Sequence, residues 1–218
     1  MKSDMQNEER GVRMSFEVVS IANPKFLEGM RDRSVSSSTF RRWSNIVTND
    51  ILCAISPRIN GSRIVPILVL RAGIAFFETV LRTYPDVPMG MVGMERMDIG
   101  PMPPQPKNYY WKVPPADRGA FWIVFDPMLA TGGTMVGVMQ RLLDEKRTTP
   151  GMLCGVSCFA APEGVRLLQE QPWGEKVRIF SAALDQGLDS KSDIVPGCED
   201  YGNRYFGTES GSGLYDTE

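Results

Sequence analysis

Apolar residues along this chain fall into two patterns that alternate. The first is a continuous apolar run of strand length, which is typical of a strand buried on both faces of a parallel sheet. Such runs cover residues 64–70, 87–94, 120–125, 152–160 and 177–183, of which the second is the weakest. The other pattern has apolar positions three and four residues apart, which predicts helices over 38–55, 74–81, 135–143 and 163–171. Strands that alternate with helices predict an α/β fold with a doubly wound, mainly parallel sheet flanked by helices.

The two ends of the chain follow neither pattern. Residues 1–14 are mostly polar and residues 209–218 are rich in glycine and serine, so we expect a flexible segment at each end. The sequence between them, residues 15–208, predicts a single domain. A fold of this size already buries roughly 70 % of the surface of its unfolded chain, so a second domain is not needed.

A proline-rich stretch, DIGPMPPQPKNYYWKVPP, occupies residues 98–115. Proline lacks the N–H group that regular helices and central strands use, so the sequence favours a long mobile loop. Lys107, Tyr109, Tyr110 and Lys112 would allow this loop to close over an anionic ligand, as the lids of enzymes do. A surface connection without a role is the alternative.

Charged side chains follow three of the predicted strands. Arg71, Arg96 and Asp126 each come just after an apolar run. The carboxyl ends of parallel strands meet at one edge of the sheet, and ligands bind at that edge in this fold class. We therefore expect the three side chains to lie along one edge, although a lone arginine after a strand is also commonly a surface ion pair.

The segment FDPMLATGGT, residues 125–134, has the features of a loop that binds a sugar phosphate. The carboxylate of Asp126 suits ribose hydroxyls, and the two threonines offer hydroxyl donors. The two adjacent glycines let the backbone approach a ligand closely at the start of a helix, where free N–H groups bind anions. A simple helix cap is the alternative interpretation of the same residues.

The composition excludes several catalytic mechanisms and classes of partner. The sequence contains no histidine, which excludes Ser-His-Asp and Cys-His catalysis and every histidine-containing metal site. The formal net charge is -2 and the basic residues form isolated pairs, so we expect no nucleic acid partner. No apolar run is long enough to cross a bilayer and the first residues are too charged for a secretory signal, so we expect a cytoplasmic protein without a membrane partner.

The four cysteines show no CxxC spacing, which favours reduced and mostly buried thiols over a disulfide or metal framework. Cys154 and Cys158 are evenly spaced within one apolar run. In a strand this spacing places both side chains on the same face, where they would fill the core.

The segment VFDPMLATGGT closely resembles the signature for 5-phosphoribosyl 1-pyrophosphate (PRPP) of the uracil phosphoribosyltransferases. These form a branch of the type I phosphoribosyltransferases in which proline, here Pro127, replaces a second acidic residue. Further segments are similar to landmarks of the family, namely VPILVLRAGI, VGMERMD, AAPEG, DQGLDSKSDIVPG and RYFGT. The resemblance covers roughly residues 23–207 and implies the type I fold, with a C-terminal hood segment that binds the base.

The resemblance also implies roles for individual residues. The catalytic group would comprise Arg71, Arg96 and Asp200, with the two arginines on the pyrophosphate of PRPP. The ribose and its 5-phosphate would be held by Asp126, Pro127, Met128, Leu129, Ala130, Thr131, Gly132, Gly133 and Thr134, and Asp200 would also contact PRPP. The uracil would lie against Ile194, Glu199, Asp200 and Tyr201. Mg²⁺ would be the cofactor, bound mainly through PRPP and next to Asp200, without a metal site of the protein's own.

Two departures from the family pattern matter. Where family members read PGLGDAG, this chain reads PGCEDYG at 196–202, with Glu199 for glycine and Tyr201 for alanine. We expect Glu199 to need backbone angles that favour glycine, and Tyr201 either to point away from the base or to stack on it. The β-arm that the family uses in dimer contacts is replaced by SPRINGSR at 56–63.

The implied function is the transfer of phosphoribose from PRPP to uracil, which forms UMP and pyrophosphate in pyrimidine salvage. Such a glycosyltransferase needs no protein nucleophile, which suits a chain without histidine. The alternative is a regulatory or catalytically degenerate homologue that binds PRPP or a nucleotide, which the changed base segment favours. The expected partners are PRPP and uracil, and the expected assembly is a homodimer or a higher homo-oligomer. A receiver-like signalling domain is disfavoured because the chain lacks an acidic pair after its first predicted strand.

Overall fold

One eight-stranded sheet forms the centre of the protein. The computed structural model describes residues 15–59, 63–99 and 102–208, with the backbone alone at 15, 95–99 and 102–108. Its strands are β1 (Ser15–Val18), β2 (Ile64–Leu70), β3 (Gly90–Ile99), β4 (Met102–Lys112), β5 (Phe121–Phe125), β6 (Met128–Leu129), β7 (Leu153–Ala160) and β8 (Arg178–Leu184). The order is β1-β8-β7-β5-β2-β3-β4, with β6 on β7. The segments expected to be flexible, 1–14 and 209–218, lie outside the described residues.

Helices cover both faces of this sheet. One face carries α1 (Pro24–Gly29), α2 (Ser37–Ile55), α3 (Phe77–Thr83) and α6 (Tyr201–Phe206), and the other carries α4 (Gly133–Asp144) and α5 (Pro162–Gln169). Within β5, Phe121, Ile123 and Phe125 pack under the first set, whereas Trp122 and Val124 pack under the second. Each pairing in the sheet is parallel except that of β3 with β4. The predicted doubly wound, mainly parallel sheet is confirmed.

The buried thiols lie where their spacing predicts. Cys154 and Cys158 are both fully buried on the α2 side of β7, and Cys53 is exposed. Burial raises the pKa of each of the two thiols in β7 to about 12, because an apolar core disfavours the thiolate. These thiols therefore keep their protons in the folded chain well above the pH at which an unfolded chain loses them.

This difference makes the protein less stable at alkaline pH. Above pH 9 the unfolded chain releases a proton from each thiol that the folded chain retains, so the free energy of unfolding falls as the pH rises towards 12. Below pH 9 the contribution is fully present. The expected decline is about 1.4 kcal/mol per pH unit for each thiol.

Urea denaturation at a series of pH values measures the decline. Cys154→Ala is expected to make it shallower by about 1.4 kcal/mol per pH unit, even though the variant is less stable throughout. Cys53→Ala, which replaces an exposed thiol outside the core, is the control for the substitution itself. Equal slopes in the wild type and in Cys154→Ala would contradict the expectation.

The proline-rich stretch is a strand and not a loop. β3 pairs with β2 as far as Gly93 and continues to Ile99. Along its outer side, from Met91 to Ile99, it pairs with the antiparallel β4. Because β4 is the last strand at its edge of the sheet, it tolerates prolines that a central strand would reject. The expected mobile loop over 98–115 is therefore wrong: most of it forms the outer strand of a hairpin.

None of the helices in the described ranges combines the length and the apolar character that crossing a membrane would require.

Candidate active site

The first candidate segment is the turn that follows β2. Arg71 comes directly after the last residue of this strand and its side chain is exposed. The guanidinium donates to Oδ1 of Asn203 at 2.8 Å and lies 5.7 Å from the centre of the Phe206 ring. Both contacts come from α6, which therefore holds Arg71 at the carboxyl edge of the sheet.

The second candidate segment is the loop between β5 and α4. Asp126 follows β5, is partly exposed, and accepts a hydrogen bond from the N–H of Met128 at 3.3 Å. At the far end of the loop, α4 begins after Gly132 without a side-chain cap from that residue. The loop surrounds a small cavity of about 20 Å³, lined by Asp126, Met128, Leu129, Ala130, Thr131, Gly132, Thr134 and Met135. A helix N-terminus and hydroxyl groups around a cavity are suited to bind a phosphate group.

Gly132 is required at the start of α4 for two reasons. Its φ of 84° lies in the left-handed region, which glycine adopts without the steric cost that a Cβ brings. In addition, a Cβ there would lie 2.8 Å from the carbonyl oxygen of Gly164, at the start of α5. The loop can therefore approach α5 only with glycine at this position.

The two loops lie side by side. β2 and β5 are neighbours, with Leu68 opposite Phe125, and a Cβ on Gly73 would lie 2.7 Å from the carbonyl oxygen of Phe125. The helices that follow these strands, α3 and α4, pack on opposite faces of the sheet. In doubly wound sheets, adjacent strands whose helices diverge in this way leave a crevice at their carboxyl ends, and ligands bind there.

Arg96 lies within β3, whereas the sequence predicts it just after a strand. Its backbone is three residues beyond Gly93, the last residue of β3 paired with β2, and is opposite Pro106 in the hairpin. The strand therefore carries Arg96 past the carboxyl end of β2, at the same edge of the sheet as Arg71. The predicted strand end is wrong, because the antiparallel partner β4 extends β3.

The hood segment that follows β8 completes this edge. It consists of the antiparallel pair β9 (Gly187–Leu188) and β10 (Ile194–Val195), followed by α6. Asp200 caps α6, since its exposed carboxylate accepts the N–H of Asn203 at 2.8 Å. A Cβ on Gly202 would lie 3.7 Å from Cβ of Ala72. The start of α6 therefore lies against the Arg71 turn, and the hood adjoins the crevice.

The base segment is the part of the hood from Ile194 to Tyr201, which the resemblance assigns to the base. Within it, Ile194 is buried and packs in the core on the α2 side of the sheet. Glu199 has φ 61°, in the left-handed region, as expected at a position where family members have glycine. Its carboxylate forms an ion pair with Arg33 at 2.7 Å. The expectation that Glu199 adopts backbone angles favourable to glycine is confirmed.

The ring of Tyr201 does not face a ligand. Tyr201 is only 1% exposed, its hydroxyl lies 2.6 Å from Oγ of Ser44, and its ring meets that of Phe40 edge to face at 5.0 Å. Burial raises the pKa of the Tyr201 hydroxyl well above its ordinary value. The open alternative that this ring stacks on a base is therefore wrong, because α2 covers it, and only main-chain groups of Tyr201 remain to contact a base.

Sequence reasoning missed residues that hold the site together. Asn203 binds Arg71, and a partly buried ion pair, Arg31 and Asp185, binds the backbone of the hood. The sequence does mark Asp185, because an acidic residue follows the apolar run of β8 there as Asp126 follows that of β5. No comparable pattern marked Asn203 or Arg31.

The sheet, the crevice between diverging helices and the loop suited to a sugar phosphate define the class of protein, a type I phosphoribosyltransferase. Comparison with known proteins then specifies the family. The family model described as uracil phosphoribosyltransferase matches residues 46–208, and the chain belongs to this family. The resemblance seen in the sequence is confirmed.

Individual relatives agree with this assignment. The uracil phosphoribosyltransferase of Myxococcus xanthus (strain DK1622) is 37% identical over 157 residues, which cover 71% of this chain and 70% of the relative. That of Paracoccus denitrificans (strain Pd 1222) is 34% identical over 199 residues, which cover 83% and 90%. Among solved structures, the AQ2163 protein from Aquifex aeolicus is similar with a TM-score of 0.76 and 25% identity, covering 88% of this chain and 98% of that one.

Proposed function

We propose that this protein transfers the 5-phosphoribosyl group of PRPP to N1 of uracil, forming UMP and pyrophosphate. One observation carries the proposal: in a chain of this family, the Arg71 turn, the Asp126 loop and the start of α6 converge at the crevice between β2 and β5. The three segments are far apart in sequence, and together they offer groups for each part of the substrates.

In this proposal the Asp126 loop holds the ribose phosphate. The 5-phosphate lies at the N-terminus of α4, where backbone N–H groups and the hydroxyls of Thr131 and Thr134 donate to it. The Asp126 carboxylate accepts hydrogen bonds from the ribose hydroxyls. Pro127 is buried and fixes the direction in which the loop leaves β5.

The pyrophosphate of PRPP is assigned to Arg71 and Arg96. Guanidinium groups remain charged and offer paired donors that match phosphate oxygens. Arg71 is exposed and is oriented by Asn203, so it can turn its remaining donors to the ligand.

Catalysis in this proposal depends on positioning. As the bond between C1′ of the ribose and the pyrophosphate oxygen breaks, positive charge develops on the ribose ring, and the arginines stabilise the negative charge of the departing pyrophosphate. N1 of uracil forms the new bond to C1′ and releases its proton to water. Holding the two substrates together can contribute about 7 kcal/mol or more to lowering the barrier, which removes the need for a protein nucleophile.

The base is assigned to the segment from Ile194 to Tyr201. Main-chain groups of Ile194, Glu199 and Tyr201 would contact uracil, since the side chain of Ile194 is buried, that of Glu199 is paired with Arg33, and that of Tyr201 is covered by α2. Asp200, which is exposed at the start of α6, would lie between the base and the ribose.

Mg²⁺ is expected to arrive with PRPP. Within the described residues there is no group of three or more acidic or cysteine side chains able to hold a metal ion without the substrate. The donor set fits an ion bound mainly by pyrophosphate oxygens with Asp200 as a carboxylate ligand, because Mg²⁺ is commonly held by one or two carboxylates plus substrate phosphates. The ion would neutralise charge on the pyrophosphate.

The direct test is a reaction of purified protein with uracil, PRPP and Mg²⁺, with UMP and pyrophosphate measured by chromatography. We expect both products in equal amounts, and none when cytosine, orotate or hypoxanthine replaces uracil. Product from another base and none from uracil would contradict the assignment of the base. PRPP binding without any product would instead favour the regulatory alternative, to which the altered residues Glu199 and Tyr201 point.

A further inference from the structure

A partly buried ion pair between Arg31 and Asp185 binds the main chain of the hood. Asp185 follows β8, and its side chain is only 4% exposed. Its two carboxylate oxygens accept hydrogen bonds from Nη1 and Nη2 of Arg31, each at 2.8 Å. Arg31 lies just after α1, outside the residues that the family model matches. The pair thus joins the N-terminal part of the chain to the end of the sheet.

Both partners also bind the main chain of Gly197. The N–H of Gly197 donates to Oδ2 of Asp185 at 2.9 Å, and Nη1 of Arg31 donates to the carbonyl oxygen of Gly197 at 3.0 Å. The charged pair therefore binds the N–H group of the peptide unit before Gly197 and the carbonyl group of the peptide unit after it. Hydrogen bonds to charged groups are stronger than those between neutral groups.

Gly197 forms the tight turn of the base segment. Its φ of 49° lies in the left-handed region, and an added Cβ would collide with the carbonyl oxygen of Ile194. The chain therefore folds back tightly between Ile194 and Glu199. Since these are the residues whose main-chain groups are assigned to the base, the orientation of Gly197 determines where those groups face.

The neighbouring residue is held in a similar way. Arg204, in α6, is 3% exposed and donates to the carbonyl oxygen of Cys198 at 3.1 Å and also to the carbonyl oxygen of Met30. Successive carbonyl groups of the hood are thus bound by two guanidinium groups, and both of these are anchored to the segment between α1 and α2.

An ion pair that is partly withdrawn from water contributes little to stability on balance, because the loss of hydration of the two charges offsets most of their attraction. Burial of Arg31 acts against its charge, but the hydrogen bonds and charge of Asp185 outweigh it and keep the pKa of the guanidinium above its ordinary value. Arg31 also forms an ion pair with the exposed Glu28 at 3.2 Å. The hydrogen bonds shared by Arg31, Asp185 and Gly197, three to one carboxylate and one to a carbonyl oxygen, suit a pair that orients this turn.

We propose that Arg31 and Asp185 are positioning residues for the base: acting through Gly197, they set the orientation of the main-chain groups that contact uracil. This inference rests on the proposed function. It assigns the effect of the pair to the base and not to PRPP, whose assigned residues lie on other segments with the exception of Asp200.

The test compares two Michaelis constants. In Arg31→Gln, the KM for uracil at saturating PRPP is expected to rise about tenfold or more, as when a hydrogen bond to a charged group is lost. The KM for PRPP at saturating uracil should change by less than about threefold, within the range expected of remote substitutions. Arg31→Lys keeps the charge but cannot bridge both carboxylate oxygens and the carbonyl. Its KM for uracil should therefore lie between those of the wild type and of Arg31→Gln.

Arg147→Gln is the matched control. Arg147 also pairs with a carboxylate, that of Glu145 at 3.0 Å, and donates to the carbonyl oxygen of Pro114 at 3.2 Å, but it follows the C-terminal end of α4, away from the hood. Its loss should leave both Michaelis constants unchanged. If Arg31→Gln does not fold, the same split in Arg31→Lys carries the test.

Each of the following results would overturn the inference. Michaelis constants that rise together, or that stay unchanged while the melting temperature falls, would show a purely structural pair. An equal change in the control would do the same. A wild-type protein that forms no UMP would overturn the proposed function and the inference together, whereas an active wild type with an unaltered uracil KM in the variants overturns the inference alone.

Discussion

Asp126→Asn is expected to lower kcat/KM for PRPP by about 10²- to 10⁴-fold, because two charge-assisted hydrogen bonds to the ribose, each worth about 1.5–3 kcal/mol, lose their anionic acceptor. The substitution removes the negative charge of the carboxylate and keeps the size and shape of the side chain. An asparagine oxygen can still accept the N–H of Met128, which bonds to Oδ1 in the native loop at 3.3 Å, so the turn itself is retained.

Steady-state kinetics and a calorimetric titration of PRPP with Mg²⁺ together measure this effect. Asp144→Asn is the control, because Asp144 is an exposed residue at the C-terminal end of α4. It should behave as the wild type in both measurements. An Asp126→Asn variant that binds PRPP as tightly as the wild type would remove Asp126 from the ribose site.

Gly132→Ala is expected to weaken both the fold and the phosphate site. Alanine at φ 84° costs about 1–2 kcal/mol, and its Cβ must also displace the carbonyl oxygen of Gly164, 2.8 Å away, so a total of about 2–4 kcal/mol is expected. The strain is relieved by moving the loop away from α5, which shifts the N-terminus of α4. The affinity for PRPP should therefore fall at least tenfold.

Gly151→Ala provides the comparison, since a Cβ there meets no atom within 4 Å. Urea denaturation and PRPP titration of the two variants separate the local requirement from a general cost of replacing glycine. A Gly132→Ala protein with normal PRPP affinity would show that the phosphate is not bound at the start of α4.

The elements that the sequence predicted well are those whose signal is local. β2 is a continuous apolar run and was predicted at its observed bounds, and α2 begins one residue before the predicted helix, next to Ser36, whose side chain caps it. Asp126 could be placed at a strand end because the apolar run before it stops abruptly.

Other features depend on contacts between distant segments. β4 forms a strand because β3 lies beside it, and it tolerates prolines because no strand of the described residues pairs with its other side; a proline-rich sequence reveals neither contact. Tyr201 is buried because α2 packs over it, and its place in a motif near the base concealed this. β9 and β10 have two residues each, too few for any periodicity.

The position of the prolines in β4 has a consequence for the behaviour of the protein in solution. An outermost strand normally presents a row of amide donors and acceptors to which a second chain can add. Here Pro103, Pro104 and Pro106 lack the amide donor, and because successive residues of a strand point this group to opposite sides, at least one of the three removes a donor from that row. Aggregation by sheet extension is thereby discouraged along the first half of this flank.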